Sequence, residues 1–386
     1  MTVSIDRMMS PLNIGGKTMR NRIVHAPMSV GYADSAGIPL QTMVEHYGRR
    51  AQGGVGMVIT ENVAISTAGR QMPHQPMLSD RRRVPAFAAV AAEIKRHGAL
   101  AVMQIVHAGR YAGPWDVYES ARRLAPSAVS FPLLPGRVVT PDEITAGEIK
   151  QCIDEFVETA LSAEQAGFDG VELHAAQGFL ISSFLSPRLN RRTDQWGGSF
   201  ENRIRLLMEV LRRVRAVVAP SFIVGVHLIS DELAPGGWAV SEAIRLSPLL
   251  EDAGADFIMP VVSTFETLKA PENAGLMNTP FFQHSATAAI KKAVGIPVFT
   301  NGRIDTPEAI DTVLAAGEAD AVGLARPLFA DPDWVAKVIA GRVADIRVCG
   351  CPTSLCLRTQ LTGSVCECWP DPAKQAGFLG YERSAA

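Results

Sequence analysis

The sequence predicts a closed (β/α)8 barrel, in which eight parallel strands alternate with eight outer helices. Three observations support this prediction. Between residues 23 and 339, short β-rich segments alternate eight times with amphipathic helical segments. The competing fold, a doubly wound sheet, would usually carry a glycine-rich turn after its first strand, whereas Ala26, Pro27 and Met28 stand there. Polar residues recur just beyond the strands, where such a barrel places its chemistry.

The predicted strands cover residues 23–26, 55–60, 100–106, 170–174, 222–227, 256–260, 297–300 and 321–324. The helices predicted to follow them cover residues 41–52, 81–97, 147–166, 200–217, 241–252, 285–294, 307–316 and 332–339. A hairpin around Gly15 and Gly16 precedes the first strand, and we expect it to plug one end of the barrel.

The domain organisation follows from these segments. We expect residues 1–340 to form one barrel and residues 341–386 to form a cysteine-rich tail that is too short for a second domain. Two long loops, 108–146 and 261–283, leave the carboxyl ends of strands. Both are therefore expected to surround the active site.

Composition excludes several classes of protein. An apolar content of 47% supports a sizeable core, and a net charge of -2 gives no basic surface for nucleic acid or anionic lipid. No apolar run approaches the roughly 18 residues that a membrane span needs. Residues 1–11 lack the apolar core of a signal peptide. We expect a cytoplasmic enzyme that acts on a small molecule and forms a homo-oligomer.

Residues at the strand ends predict a large polar ligand over the mouth of the barrel. Seven of the eight strands are followed by such residues: Met28 and Ser29, Glu61 and Asn62, Gln104 and His107, His174 and Gln177, His227, Asn301 to Arg303, and Ala325 and Arg326. The last two groups are typical of a phosphate site built from backbone N–H groups and guanidinium. The alternatives are surface arginines on turns and, for His174, a hydrogen-bonded core residue.

Several segments together resemble the Old Yellow Enzyme family of FMN oxidoreductases. More narrowly, they resemble its branch with 2,4-dienoyl-CoA reductase and trimethylamine dehydrogenase. The matching segments are 21–24 with 26–28, 56–61, 104–110, the stretch 171–203 with its 192–199 motif, and 323–327. The resemblance implies FMN at the barrel mouth, with NAD(P)H as the reductant.

The resemblance also implies roles for individual residues. Ala26, Pro27, Met28 and Ser29 would lie along the flavin, and Asn62 and Gln104 would bind its pyrimidine edge. The phosphate would be held by Gly302, Arg303, Ala325 and Arg326. His174 would hydrogen-bond a carbonyl of the substrate and so activate a conjugated alkene for hydride transfer.

Three positions depart from the family pattern. Gln177 stands where the second substrate-binding residue is usually Asn or His, and Phe179 replaces the usual tyrosine proton donor. His227 replaces an arginine expected beside the flavin, so a charge there would have to be induced. Without the tyrosine, a proton would come from solvent or from Tyr32 or Tyr111.

The departure at Phe179 leaves several functions open. Alkene reduction is the leading interpretation. Isomerisation, amine oxidation and desaturation on the same flavin are the alternatives, and an electron-transfer subunit or flavin-binding scaffold is a further one.

The tail carries five of the six cysteines. In the resembling branch, four tail cysteines bind a [4Fe–4S] cluster. Cys349, Cys356 and Cys368 match three of those positions, and Cys351 lies one residue before the fourth, which is Pro352. Zinc or free thiols are the alternatives. Because the chain ends eighteen residues after Cys368, we expect a cluster to exchange electrons with a partner protein or to be structural.

Overall fold

The computed structural model describes residues 5–113, 122–134 and 136–349 and confirms the (β/α)8 barrel. Its parallel strands are β1 (Ile23–His25), β2 (Met57–Ile59), β3 (Leu100–Val106), β4 (Gly170–Ala175), β5 (Ile223–Asp231), β6 (Phe257–Val262), β7 (Phe299–Thr300) and β8 (Ala321–Leu324). Neighbours in the chain are neighbours in the sheet, and β8 pairs with β1. A parallel bridge between Ile258 and Val298 closes the barrel between β6 and β7.

In the described part of the chain, one principal helix follows each of the eight strands. These helices are α1 (Gln41–Gln52), α2 (Val84–Arg96), α3 (Ala146–Gln165), α4 (Phe200–Val217), α5 (Val240–Asp252), α6 (His284–Lys291), α7 (Pro307–Ala315) and α8 (Trp334–Ile339). The second helix starts later than predicted, because Asp80 caps a separate 3-10 turn, Arg81–Arg83, before it. Within the described ranges, no helix combines the length and the apolar character required to cross a bilayer.

The predicted hairpin is present and closes the lower end of the barrel. Its strands, Leu12–Ile14 and Lys17–Met19, pair antiparallel. Gly15 and Gly16 form the turn with φ of +54° and +78°, a left-handed backbone that glycine adopts without steric cost. The side chains of Ile14 and Met19 are buried in one apolar cluster with the residues that fill the barrel, so the hairpin acts as a plug.

The loop after β3 contains short strands that the sequence analysis did not predict. Phe131–Leu134 pairs antiparallel with Arg137–Val139, and Leu124–Ala125 pairs with Asp142–Glu143.

The division into a barrel at 1–340 and a tail at 341–386 stays a prediction. Cys351, Cys356 and Cys368 lie outside the described residues.

The interior of the barrel is packed around two stacked rings. Phe257 and Phe299 lie 4.6 Å apart between centroids, with their planes 15° from parallel. Gly225 on β5 makes room for them, because a Cβ atom there would lie 2.1 Å from the Cζ atom of Phe257.

We expect Gly225→Ala to lower the free energy of unfolding by roughly 1–3 kcal/mol, since an extra methyl group in a filled core forces its neighbours to move. Chemical denaturation measures this change. The matched control is Gly147→Ala on the exposed first turn of α3, where the nearest atom to the new methyl is the Oγ1 atom of Thr145 at 4.0 Å, so the substitution should stabilise slightly. Equal effects of the two substitutions would contradict this account of the core.

Candidate active site

A cavity formed by described residues lies over the carboxyl ends of the strands. It is lined by all eleven residues that the sequence predicted to bind a cofactor: Ala26, Pro27, Met28, Ser29, Asn62, Gln104, His227, Gly302, Arg303, Ala325 and Arg326. His174, Gln177 and Phe179 line the same cavity. The fold therefore brings these predicted residues together, although they come from seven different strand ends.

His174 is held as a neutral hydrogen-bond donor. It stands near the end of β4 and is 3% exposed. Burial lowers its pKa well below the usual 6.5, the neighbouring His227 lowers it further, and a hydrogen bond with Gln177 acts in the opposite direction. The Nδ1 atom accepts the Ala176 N–H at 3.3 Å. The ring proton is therefore on Nε2, which can donate.

The turn after β4 presents two side chains beside His174. Gln177 has a φ of +57°, an uncommon conformation for a residue other than glycine, and forms a parallel bridge with Thr264. The Phe179 ring lies edge-on to His174 at 4.6 Å between centroids. It also contacts Phe265 at 5.5 Å. An apolar face thus lies where a tyrosine hydroxyl was expected.

Neither tyrosine considered as a proton donor reaches the cavity. Tyr32 is buried elsewhere, with its ring 5.3 Å from that of His46. Tyr111 lies behind Phe179, and its hydroxyl donates to the Glu266 carboxylate. Burial raises the pKa of Tyr111 well above 10, and the charge of Glu266 adds to this. The structure therefore does not support either phenol as the donor.

The end of the cavity near β7 and β8 is strongly charged. Gly302 and Arg303 have φ of +97° and +63°, and such strain in a non-glycine residue is typical of functional sites. The Nε atom of Arg303 lies 3.2 Å from the Asp305 carboxylate. Arg326 donates to Asn278 at 3.2 Å. Burial raises the pKa of Asp305, while Arg303 and Arg326 oppose that rise.

The sequence interpretation missed a buried carboxylate beneath the cavity. Glu172 lies on β4, is 0% exposed, and accepts a hydrogen bond from Nε2 of Gln104 at 2.7 Å. Its other oxygen lies 3.6 Å from Nδ1 of His227. A charged residue inside an apolar strand, two positions before His174 and so on the same face, was the available signal.

Gln283 was also missed. This residue precedes α6, is 1% exposed and lines the cavity. Its Oε1 accepts the Val262 N–H at 3.2 Å, whereas its Nε2 has no hydrogen-bond partner among the described residues. Because a buried donor without a partner is costly, Gln283 is suited to bind a ligand in the cavity. No sequence signal distinguished it from other loop residues.

The loop after β1 is held by Glu61, which does not itself line the cavity. One oxygen of Glu61 accepts the N–H groups of Val30 at 3.0 Å and Gly31 at 2.9 Å. Burial raises the pKa of Glu61 from 4.5 to about 7, and these backbone donors limit the rise. The carboxyl group thus fixes the segment that carries Met28 and Ser29.

The two long loops contribute differently. The loop after β6 lines the cavity directly, through the apolar side chains of Phe265, Leu268 and Phe282. No described residue of 108–146 lines the cavity. That loop forms an outer layer, where Arg110 pairs with Glu266 at 3.1 Å and stacks on Phe131.

Of the predicted cluster ligands, only Cys349 lies within the described residues. No group of three or more metal-binding side chains occurs in that part of the chain. Cys351, Cys356 and Cys368 fall outside it.

With the barrel and the cavity established, comparison with known proteins identifies the family. Residues 7–345 match the NADH:flavin oxidoreductase / NADH oxidase family. The chain belongs to this family.

Three similar proteins illustrate its range. An NADH oxidase of Thermoanaerobacter brockii is 37% identical over 87% of this chain and 51% of its own length. An N,N-dimethylglycine/sarcosine dehydrogenase of Chromohalobacter salexigens is 32% identical over 100% of this chain and 55% of its own length. The solved structure of a 2-naphthoyl-CoA reductase complex matches with a TM-score of 0.88 and 28% identity, over 98% of this chain and 58% of that one. This chain thus spans about half the length of these relatives.

The pKa of Glu61 predicts a pH-dependent stability. Because burial raises the folded-state pKa to about 7, the stability contributed by protonated Glu61 is present below pH 4.5 and is lost as the pH rises through 7. The side chain of Glu61→Gln stays neutral at every pH. The free energy of unfolding of this variant, relative to that of the wild type, should therefore increase from pH 5 to pH 8, by at most about 3 kcal/mol.

Urea denaturation at both pH values measures this difference. Glu158→Gln, at an exposed carboxylate on α3, is the control and should show little pH-dependent change. A difference for Glu61→Gln that is equal at pH 5 and pH 8 would show that Glu61 is already ionised at pH 5.

Proposed function

We propose that the protein is an FMN-dependent oxidoreductase that uses NAD(P)H to reduce a C=C bond conjugated to a carbonyl group. The observation that carries this proposal is the neutral Nε2–H donor of His174 in the same cavity as Arg303 and Arg326. One end of the cavity is suited to an anion and the other to a polarisable carbonyl oxygen.

The described residues fit FMN. Arg303 and Arg326, with the backbone around Gly302 and Ala325, would hold the phosphate. The unpartnered Nε2 of Gln283 supplies a further buried donor. Asn62 and Gln104 would bind the pyrimidine edge, and 26–29 would lie along the ring system. FMN, when bound, supplies hydride chemistry, accepting a hydride from NAD(P)H and passing it on.

His174 would bind and polarise the substrate. Its Nε2–H donates to the carbonyl oxygen, where negative charge develops, and a buried donor of this kind is strong because water is excluded. The lowered pKa keeps the ring neutral near pH 7. Gln177 would contact the same oxygen or its neighbour. Phe179 and Phe265 would pack against the apolar part of the substrate.

The proton that completes alkene reduction would come from solvent. Tyr32 and Tyr111 lie outside the cavity, and Phe179 has no proton to donate. Asp305, the one carboxylate among the described lining residues, is paired with Arg303. We therefore expect slow or solvent-dependent protonation.

Oxidation of an amine, or desaturation beside a carbonyl, is the second candidate function. It is favoured by the likeness to the N,N-dimethylglycine/sarcosine dehydrogenase, which extends over 100% of this chain. The charges favour alkene reduction instead. Arg303 and Arg326 outnumber Asp305 in the cavity, so a cationic amine would find no free counter-ion among the described lining residues.

The cysteines of the tail form a separate part of the proposal. We propose that Cys349, Cys351, Cys356 and Cys368 bind a [4Fe–4S] cluster that exchanges electrons with a partner protein, with zinc as the alternative. Iron, sulfide and zinc assays on anaerobically purified protein distinguish these two metals from free thiols.

The reaction is tested by anaerobic stopped-flow spectroscopy of the FMN-loaded protein. We expect NADH or NADPH to bleach the flavin and 2-cyclohexenone to restore its colour, whereas trimethylamine alone leaves the flavin oxidised. His174→Ala should slow the second step about 100-fold or more, because one buried donor to a developing oxyanion is lost, and should leave FMN binding unchanged. Bleaching by the amine alone would instead establish the second candidate.

Arg303→Ala should weaken FMN binding about 10- to 100-fold, which corresponds to one lost charge-assisted hydrogen bond of about 1.5–3 kcal/mol. Quenching of flavin fluorescence measures the Kd. Riboflavin lacks the phosphate, so its affinity should be the same for the variant and the wild type. Arg82→Ala, at an exposed arginine, serves as the control. An equal loss for FMN and riboflavin would place Arg303 away from the phosphate.

A further inference from the structure

A carboxylate and an imidazole face each other beneath the cavity, each with an unsatisfied atom. The Oε1 atom of Glu172 and the Nδ1 atom of His227 have no hydrogen-bond partner among the described residues. They lie 3.6 Å apart, in a region where Glu172 is 0% and His227 is 6% exposed. Because unpaired buried polar atoms are costly, a small movement that joins them in a hydrogen bond is favourable.

The other contacts of the pair fix its orientation. The second oxygen of Glu172 accepts from Gln104 at 2.7 Å, so the carboxylate cannot turn away without losing that bond. His227 pairs across the sheet with His174, and their rings lie 5.1 Å apart between centroids. His227 also lines the cavity. Its Nδ1 atom thus faces the carboxylate, which leaves Nε2 for the cavity.

We propose that Glu172 is a positioning residue that holds the Nδ1–H of His227, so that Nε2 takes up a proton when negative charge enters the cavity. This inference rests on the flavin-dependent function proposed above. The pair provides an inducible positive charge where a fixed guanidinium was expected from the family pattern.

The charge balance of the proposed reaction defines the role of this proton. A hydride from NAD(P)H brings one proton and two electrons into the cavity, which leaves one net negative charge. Uptake of one proton from solvent at Nε2 of His227 cancels that charge, while Nδ1–H stays bonded to Glu172. Carboxylate–imidazole pairs in other enzymes stabilise an imidazolium in the same way.

Of the two adjacent imidazoles, His227 is the one suited to take up this proton. From β4, Glu172 and His174 face its ring, and Gln104 on β3 and Met259 on β6 are uncharged. Arg303, Arg326 and Asp305 share the cavity. The pKa of His174 is already lowered by burial and by His227, so two adjacent imidazoles do not both become charged.

Glu172→Gln tests the proposal through the reduction potential of bound FMN. The amide of Gln104 needs an acceptor, so the carbonyl of the new side chain faces Gln104 and its NH2 group faces His227. A donor opposite Nδ1 removes the support for an imidazolium. We expect the protein's preference for reduced over oxidised FMN to fall about tenfold at pH 7, which lowers the two-electron potential by about 30 mV.

The sign of this shift separates the proposal from simple electrostatics. If Glu172 acted only as a negative charge near the flavin, its removal would favour reduced FMN and raise the potential. A rise, or no change, overturns the proposal. In a His227→Gln background, Glu172→Gln should no longer lower the potential, and a decrease that persists there would show that Glu172 acts through Gln104 instead.

A second measurement needs no flavin, so the failure of this inference is distinguishable from failure of the proposed function. The His227 signals in the ¹⁵N NMR spectrum are assigned by their loss in His227→Gln. In FMN-free wild-type protein at pH 7, their chemical shifts should show that Nδ1 carries the proton. In Glu172→Gln they should show protonated Nε2. The same tautomer in both proteins overturns the proposal, even if the protein does not bind FMN.

Discussion

The register between three neighbouring strands is the constraint on which the site depends. Parallel pairing aligns Glu172 of β4 with Gln104 of β3, and His174 of β4 with His227 of β5. Side chains alternate between the two faces of a strand, so a slip of one residue in β4 would turn both Glu172 and His174 away from the interior. The stacked rings of Phe257 and Phe299 and the plug formed by the hairpin fill the barrel below them. The polar residues can therefore occupy only the upper layer, where the strands end.

Burial then decides which of these polar groups carry charge. His174 is enclosed beside a second imidazole, and its pKa falls far enough to keep it neutral. Glu172 is enclosed beside the donor amide of Gln104 and the imidazole of His227, so its buried oxygens can find hydrogen-bond partners without water. Arg303 and Arg326 line the end of the cavity near β7 and β8, where Gly302 and Arg303 have a left-handed backbone. The cavity therefore carries guanidinium groups at one end and a neutral imidazole donor at the other.

Much of the fold and of the site could be predicted from the sequence, for identifiable reasons. Eight strand segments followed by eight helical segments specify a barrel, and polar residues directly after apolar strands must meet at one rim. Asn62, Gln104, His174 and Arg326 line one cavity, as this reasoning predicts, and their roles stay predictions. Tyr32, a candidate proton donor because its loop follows the first strand, does not line the cavity. A loop residue has no fixed direction, and the Tyr32 ring packs against His46. Gln283 lies twenty-one residues beyond its partner Val262 and gave no local pattern.

The sequence by itself determined the order of the elements, the family and the set of residues at the barrel mouth, because periodicity and short motifs are local properties of the chain. Only the tertiary structure decided which of those residues face one another. It placed Glu172 against His227, enclosed the hydroxyl of Tyr111 with Glu266, and left Phe179 and Phe265 beside His174. Such pairings join residues that are far apart in the chain, and they depend on strand register and loop packing, which no local pattern encodes.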